Sequence, residues 1–179
     1  MIIAGAGSAG KETSGMLMQQ SDEDIIFFDQ KYKGDKIWER FIVISDFEAL
    51  KLIIKTNPSF CVAIGNPRKR KKLFEKISSI GGKPKNIISQ NINSISPIAE
   101  KSIIIQPGVA ISFDVLLGKS CIIHTNSTIG HRVSIGDFVN ISPLCSIIGP
   151  CKIGNESYIG AHSVIMPGVT IGNNAYIPV

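Results

Sequence analysis

The sequence predicts a chain in two parts, a small α/β unit followed by an all-β parallel β-helix, and three observations predict it. From Ile105 to Ile177 every sixth residue is isoleucine, with Leu117 the one exception among thirteen places. The chain opens as a strand, a glycine-rich turn, a helix and a second strand. The excess of basic residues ends where the repeat takes over: fifteen basic and ten acidic residues precede position 96, and four of each follow it. A break of that kind marks a domain boundary. The expected limits are 1–85 for the first unit, 86–104 for a bridge and 105–179 for the β-helix.

The repeat defines its own register. With isoleucine first, the fifth place holds only small residues, among them Val109, Val115, Cys121, Ser127, Val133, Cys145 and Cys151. Residues four apart on a strand share a side, so a large and a small residue point inward together. Ile suits a pleated, half-buried surface. Glycine is frequent in the second place (Gly118, Gly130, Gly136, Gly154, Gly160, Gly172), and Pro107-Gly108 and Pro167-Gly168 occupy equivalent slots. Gly and Pro near the middle of the hexad are expected to turn the corners. Hexads of this kind mark a parallel β-helix whose coils bury one another's faces. Cys121, Cys145 and Cys151 then read as core packing rather than nucleophiles.

In the first unit, Met1–Ala4 is a short apolar strand that runs into Gly5-Ala6-Gly7-Ser8-Ala9-Gly10, a G-x-G-x-x-G. A helix is expected over about residues 10–20. A second strand, Ile25–Phe28, ends at Asp29. This is the order of a Rossmann-like βαβ unit, in which glycines let a diphosphate approach the free N–H groups of a helix N-terminus. A tight structural turn is the alternative. Phe60–Ile64 reads as a further strand ending in Gly65-Asn66-Pro67, at the same end of the sheet. The run Arg68–Lys72 opens a helix through about Ile80 and reads as a solvated face, although one of its arginines could reach a phosphate. A first unit of about 95 residues is small for a dinucleotide and suits a single nucleotide carrying an activated sugar.

The totals exclude several classes. A net charge of +5 without a clustered basic face or motif argues against nucleic acid. No run of about 18 apolar residues suggests membrane insertion. The start lacks the pattern of a secretory signal, and the four cysteines have no C-x-x-C pairing, so neither a disulfide framework nor a metal site is expected. The expected location is cytoplasmic. An NAD-dependent oxidoreductase would leave the β-helix unexplained.

The glycine motif, the segment Ala63-Ile64-Gly65-Asn66 and the hexad repeat, in that order, resemble the bacterial hexapeptide-repeat sugar acetyltransferases. These include the sialic acid O-acetyltransferases and the PglD-type nucleotide-sugar N-acetyltransferases. Thr125–His131 followed by Ile135-Gly136-Asp137-Phe138 is similar to that family's active-site stretch. The resemblance implies a left-handed β-helix, a homotrimer, and acetyl-CoA bound between neighbouring β-helices. It implies acetylation of the amino group of a nucleotide-linked sugar, UDP-linked by expectation, in glycan biosynthesis. O-acetylation of sialic acid or another sugar is the alternative within the enzymes. A nucleotide-sugar-binding β-helix protein without catalysis is the alternative outside them.

By the same resemblance His131 is the catalytic base. It sits in the third place of its hexad, where side chains leave the interior. A thioester is already activated, so a neutral imidazole that takes the proton of an attacking amine suffices, and a backbone N–H would hold the oxyanion. Gly7, Ser8 and Ala9 would line the phosphates; Asp29, Gln30, Gly65 and Asn66 would lie by the base or ribose. Asn140, Gly149 and Ala161 would meet acetyl-CoA. His124 and His162 also lie outside the inward slots and read as ordinary surface residues.

The sequence departs from the family's pattern in three places. Arg132 stands where an acidic residue commonly follows the base. Asn140 replaces a second histidine, and Ala9 replaces a histidine of the glycine loop. The chain ends in mid-hexad at Val179, as expected of either a shortened or a cut β-helix.

Overall fold

The computed structural model describes residues 1–21 and 23–179. The first unit runs β1 (Ile2–Ala4), α1 (Ser8–Met18), β2 (Ile26–Phe28), β3 (Lys36–Ile37), β4 (Phe41–Ile44), α2 (Phe47–Thr56), β5 (Ser59–Val62), α3 (Pro67–Ser78) and β6 (Lys83–Pro84). Its sheet has the order β3-β4-β2-β1-β5-β6, parallel except for the β3–β4 pair. The sequence reading did not place β3, β4 and α2. α2 has clear signals all the same: Asp46 caps it by accepting from the Glu48 and Ala49 N–H groups, and Leu50 and Ile54 bury one face.

The second part is a left-handed parallel β-helix of two-residue strands. Inward residues stack in register with a period of 18 residues per coil. Ile105, Ile123, Ile141, Ile159 and Ile177 form one column. Ile111, Ile129, Ile147 and Ile165 form the second, and Leu117, Ile135, Ile153 and Ile171 the third. Pairing starts inside the expected bridge, where Ile88 pairs with Ile105 and Ser94 with Ile111. The columns and the small fifth-place residues between them form one apolar core. Cys121 and Cys145 lie in it, and their thiols donate to the carbonyls of Gly136 and Gly160, each across 3.1 Å. Burial pushes the Cys121 thiol up to about 11 and the Cys61 thiol up to about 12, so neither is a nucleophile at neutral pH.

The corners correct one expectation. They are turned by the fourth residue of the hexad in the left-handed region, and it is seldom glycine. Asp114, Ser120, Asn126, Arg132, Phe138 and Leu144 have φ between +50° and +61°. Each costs about 1–2 kcal/mol relative to right-handed backbone, offset by hydrogen bonds from coil to coil. The second-place glycines serve a different need, since a Cβ on Gly136 would lie 2.8 Å from the Asn155 nitrogen one coil on.

The two parts share packing. Met1, Ile3, Phe27 and Cys61 from one face of the sheet and Met16 and Leu17 from α1 cluster with Ile104 and Ile122, which point outward from the β-helix. On the other face, Phe138 from a β-helix corner joins Phe60, Phe74 and Ile77. Phe74 and Phe138 meet edge to face at 5.4 Å.

Candidate active site

A cleft of about 620 Å³ opens at the carboxyl ends of β1, β2 and β5. There the crossover from β1 runs to β2 on one side and the crossover from β5 runs to β6 on the other, and open α/β sheets bind ligands at such a reversal. Gly7, Ser8, Ala9, Asp29, Gln30 and Gly65, six of the seven residues proposed from sequence for the nucleotide, line it. The motif's outer glycines allow close packing. Gly5 sits at φ +112°, and a Cβ on Gly10 would lie 1.9 Å from the Gly5 carbonyl oxygen. Gly7 is the N-cap of α1 and supplies no side-chain acceptor, so the first-turn N–H groups are open to an anion.

Two sequence assignments change in detail. Asn66 does not line the cleft; its side chain caps α3 by accepting from the Lys69 N–H at 3.0 Å. Asp29 does line it, but its carboxylate braces the glycine loop, accepting from the N–H groups of Ala6 at 3.0 Å and Lys31 at 2.9 Å.

The charge run also divides. Lys69 and Lys72, with Lys76 one turn later, line the cleft opposite Lys31. Four lysines in the lining, of which Lys76 sets its ammonium over the Phe47 ring at 3.8 Å, make a basic cleft at an uncapped helix N-terminus and favour a polyanion such as a diphosphate. Helical spacing of 69, 72 and 76 could have shown that these lysines share a face. Arg70 is not solvated and reaches no phosphate site: it is 0% exposed, and its guanidinium donates only to backbone carbonyls.

His131 lies on the β-helix, half-buried, at the corner after Ile129. Its ring stacks on Phe113 with centroids 5.3 Å apart. Nδ1 faces the Arg132 Nε–H at 3.4 Å. Arginine only donates, so this contact occupies the Nδ1 lone pair and leaves the ring proton on Nε2. Gly149 lies one coil on, so close that a Cβ there would stand 1.7 Å from the His131 carbonyl oxygen.

Asn140 and Ala161 belong instead with the column of Ile141 and Ile159. Asn140 is 1% exposed, and its side-chain amide faces His124 Nε2 at 3.4 Å. His124 is therefore not an ordinary surface residue. Its Nδ1 donates to Gln106 Oε1 at 3.1 Å, and Gln106 Nε2 donates to Glu12 on α1 at 2.9 Å. Burial holds the His124 imidazole below its ordinary value, with the Asn140 bond opposing. His162 is exposed at a corner.

The nucleotide-type cleft and His131 are separate features of one chain, since the cleft has no β-helix residue in its lining. Among the described residues no group of three or more His, Cys, Asp or Glu could hold a metal ion, and no helix is long and apolar enough to cross a membrane.

Comparison with known proteins bears on both halves. The PglD N-terminal domain family matches residues 1–77. The bacterial transferase hexapeptide family matches residues 132–165 and 150–178. A GDP-perosamine N-acetyltransferase of Escherichia coli O157:H7 is 33% identical, over 93% of this chain and 78% of that protein. The chain belongs to the PglD-type hexapeptide-repeat sugar acetyltransferases. Among solved structures, the acetyltransferase domain of PglB from Neisseria gonorrhoeae superposes with a TM-score of 0.78 at 26% identity, covering 99% of this chain and 87% of that one. PerB from Caulobacter crescentus, solved with CoA and GDP-perosamine, has the same fold, with a TM-score of 0.80 at 24% identity over 99% of this chain and 85% of that one.

Proposed function

We propose that this protein transfers the acetyl group of acetyl-CoA to the amino group of a nucleotide-linked amino sugar in the cytoplasm. The observation that carries the reading is the pairing, in one chain, of a lysine-ringed cleft at a helix N-terminus with an outward histidine on a hexapeptide β-helix. The relative named GDP-perosamine N-acetyltransferase supports an amino sugar on a nucleoside diphosphate. It favours testing GDP carriers beside the UDP carriers expected from sequence.

In this mechanism the nucleotide lies across Gly7–Ala9, Asp29, Gln30 and Gly65. The sugar amine attacks the thioester carbonyl, and His131 takes the proton as the new C–N bond forms. The tetrahedral intermediate then collapses, the C–S bond breaks, and the proton passes from His131 to the departing CoA sulfur. Arg132 must give up its contact with Nδ1 for the imidazole to present a base to the amine. Gly149, beside His131, and Ala161 on another face would meet acetyl-CoA in an assembly of copies, whereas Asn140 is buried against His124 and has no surface to offer the coenzyme. The separation of cleft and His131 within one chain supports a site completed by a second copy, as in a homotrimer.

One further reading has an observation of its own. A nucleotide-sugar-binding protein without transfer would tolerate Arg132 against Nδ1. Thiol release from acetyl-CoA, followed with GDP- and UDP-linked amino sugars and with free sialic acid, separates the readings. Release with a nucleotide amino sugar supports the proposal, and release with sialic acid alone supports O-acetylation. Nucleotide-sugar binding without release supports the non-catalytic reading.

A further inference from the structure

α3 sorts its charges by helical face. Lys69, Lys72 and Lys76 face the cleft, while Arg70 turns the other way with Phe74 and Ile77 into the core. Among the described residues no carboxylate pairs with Arg70. Its fork is filled by four carbonyls: Nη1 donates to Ile64 at 2.5 Å and Gly65 at 3.0 Å, Nε to Ser120 at 2.7 Å, and Nη2 to Phe138 at 2.6 Å. Ser120 and Phe138 are corner residues one coil apart, with φ +50° and +58°. One side chain therefore ties the loop after β5 to two successive coils of the β-helix.

A buried cation without a counter-ion is costly, and an apolar side chain would fill the same space at less cost. What the guanidinium adds is direction, because its planar fork fixes several acceptors at once. The acceptors that matter are Ile64 and Gly65, both of which line the cleft. In a trans peptide the N–H points opposite to the C=O. With the carbonyls of Ile64 and Gly65 turned onto Arg70, the N–H groups of Gly65 and Asn66 are turned away from it, and of these two residues Gly65 lines the cleft. Neither N–H has a protein acceptor among the described residues.

We infer that Arg70 is a positioning residue for the nucleotide. It orients the Ile64–Gly65 peptide so that the Gly65 N–H is a donor to an anionic or carbonyl oxygen of the carrier nucleotide, and it holds that peptide in fixed relation to the β-helix. The inference rests on the nucleotide reading of the cleft. Burial pushes the Arg70 guanidinium down to about 10, so it stays charged at neutral pH.

The test compares wild type with R70K and R70Q. Binding of GDP, UDP and CoA is measured by calorimetry, and amide hydrogen exchange is followed over residues 62–70, 118–122 and 136–140. The expected result is at least tenfold weaker nucleotide binding with CoA binding within twofold of wild type, and faster exchange in all three segments together. Lysine does not rescue, because one ammonium cannot serve four carbonyls. Unchanged nucleotide affinity in both variants overturns the inference, as does an equal fall in nucleotide and CoA affinity. Should the wild type bind neither GDP nor UDP, the nucleotide reading fails, and the exchange data still decide the coupling: joint loosening of the three segments keeps it, unchanged exchange removes it.

Discussion

His131 and Arg132 carry the chemical question at the scale of single residues. The hexad register put His131 outside the interior before any coordinates, and the structure keeps it there, stacked on Phe113. The consequence of Arg132 needed geometry. Sequence shows only that a donor replaces a common acceptor, whereas the structure aims that donor at Nδ1. An acceptor at position 132 would accept a hydrogen bond from Nδ1–H, leave the Nε2 lone pair free as the base and stabilise the imidazolium formed during transfer. R132E is therefore expected to raise kcat/KM for the nucleotide amino sugar, by roughly tenfold for each 1.4 kcal/mol by which the carboxylate lowers the barrier. A fall in kcat/KM with unchanged folding would assign Arg132 a positive role. His124 shows the opposite limit of sequence reading. Its slot is outward, but outward from a coil here means toward α1, where Gln106, itself bonded to Glu12, engages it. A one-dimensional repeat cannot show which of its faces another domain covers.

At the level of elements, the isoleucine columns were legible because each inward slot repeats the same physical demand. The corners were not, because left-handed backbone at Asp114 or Phe138 is imposed by the ladder and overrides residue preference. α3 was half legible: its lysine face follows from spacing, yet the burial of Arg70 depends on Ser120 and Phe138, 50 and 68 residues away. Gly149 gives a prediction at this scale. A Cβ there meets the His131 carbonyl, so Gly149→Ala must shift one coil against the next. The expected cost is about 1–3 kcal/mol, the usual range for overpacking, with activity falling more than stability because the displaced backbone carries His131. Equilibrium denaturation beside steady-state kinetics measures both; wild-type values of each would show that the contact is relieved without moving the base.

Considered as a whole, the chain is organised by a seam that the composition break conceals. The break separates a basic first half from a neutral repeat. The structure joins the halves through Ile104 and Ile122, through Phe138 against Phe74, which in turn meets Phe60 of the sheet, and through Lys71 paired with Glu156 at 2.6 Å. Shared packing of that kind predicts one cooperative thermal transition by calorimetry rather than two; two resolved endotherms would show that the halves unfold independently. A rigid seam also fits the chemistry proposed, in which a sugar held by its nucleotide in one unit must present its amine to a base carried by a β-helix. That chemistry stands or falls on His131. The most direct measurement is acetyl-CoA-dependent turnover of a nucleotide-linked amino sugar by wild type and by His131→Ala, with nucleotide and CoA binding measured in parallel. The account predicts a loss of about 10²–10⁴-fold in kcat with both ligands still bound; His131→Ala turning over at the wild-type rate would contradict it.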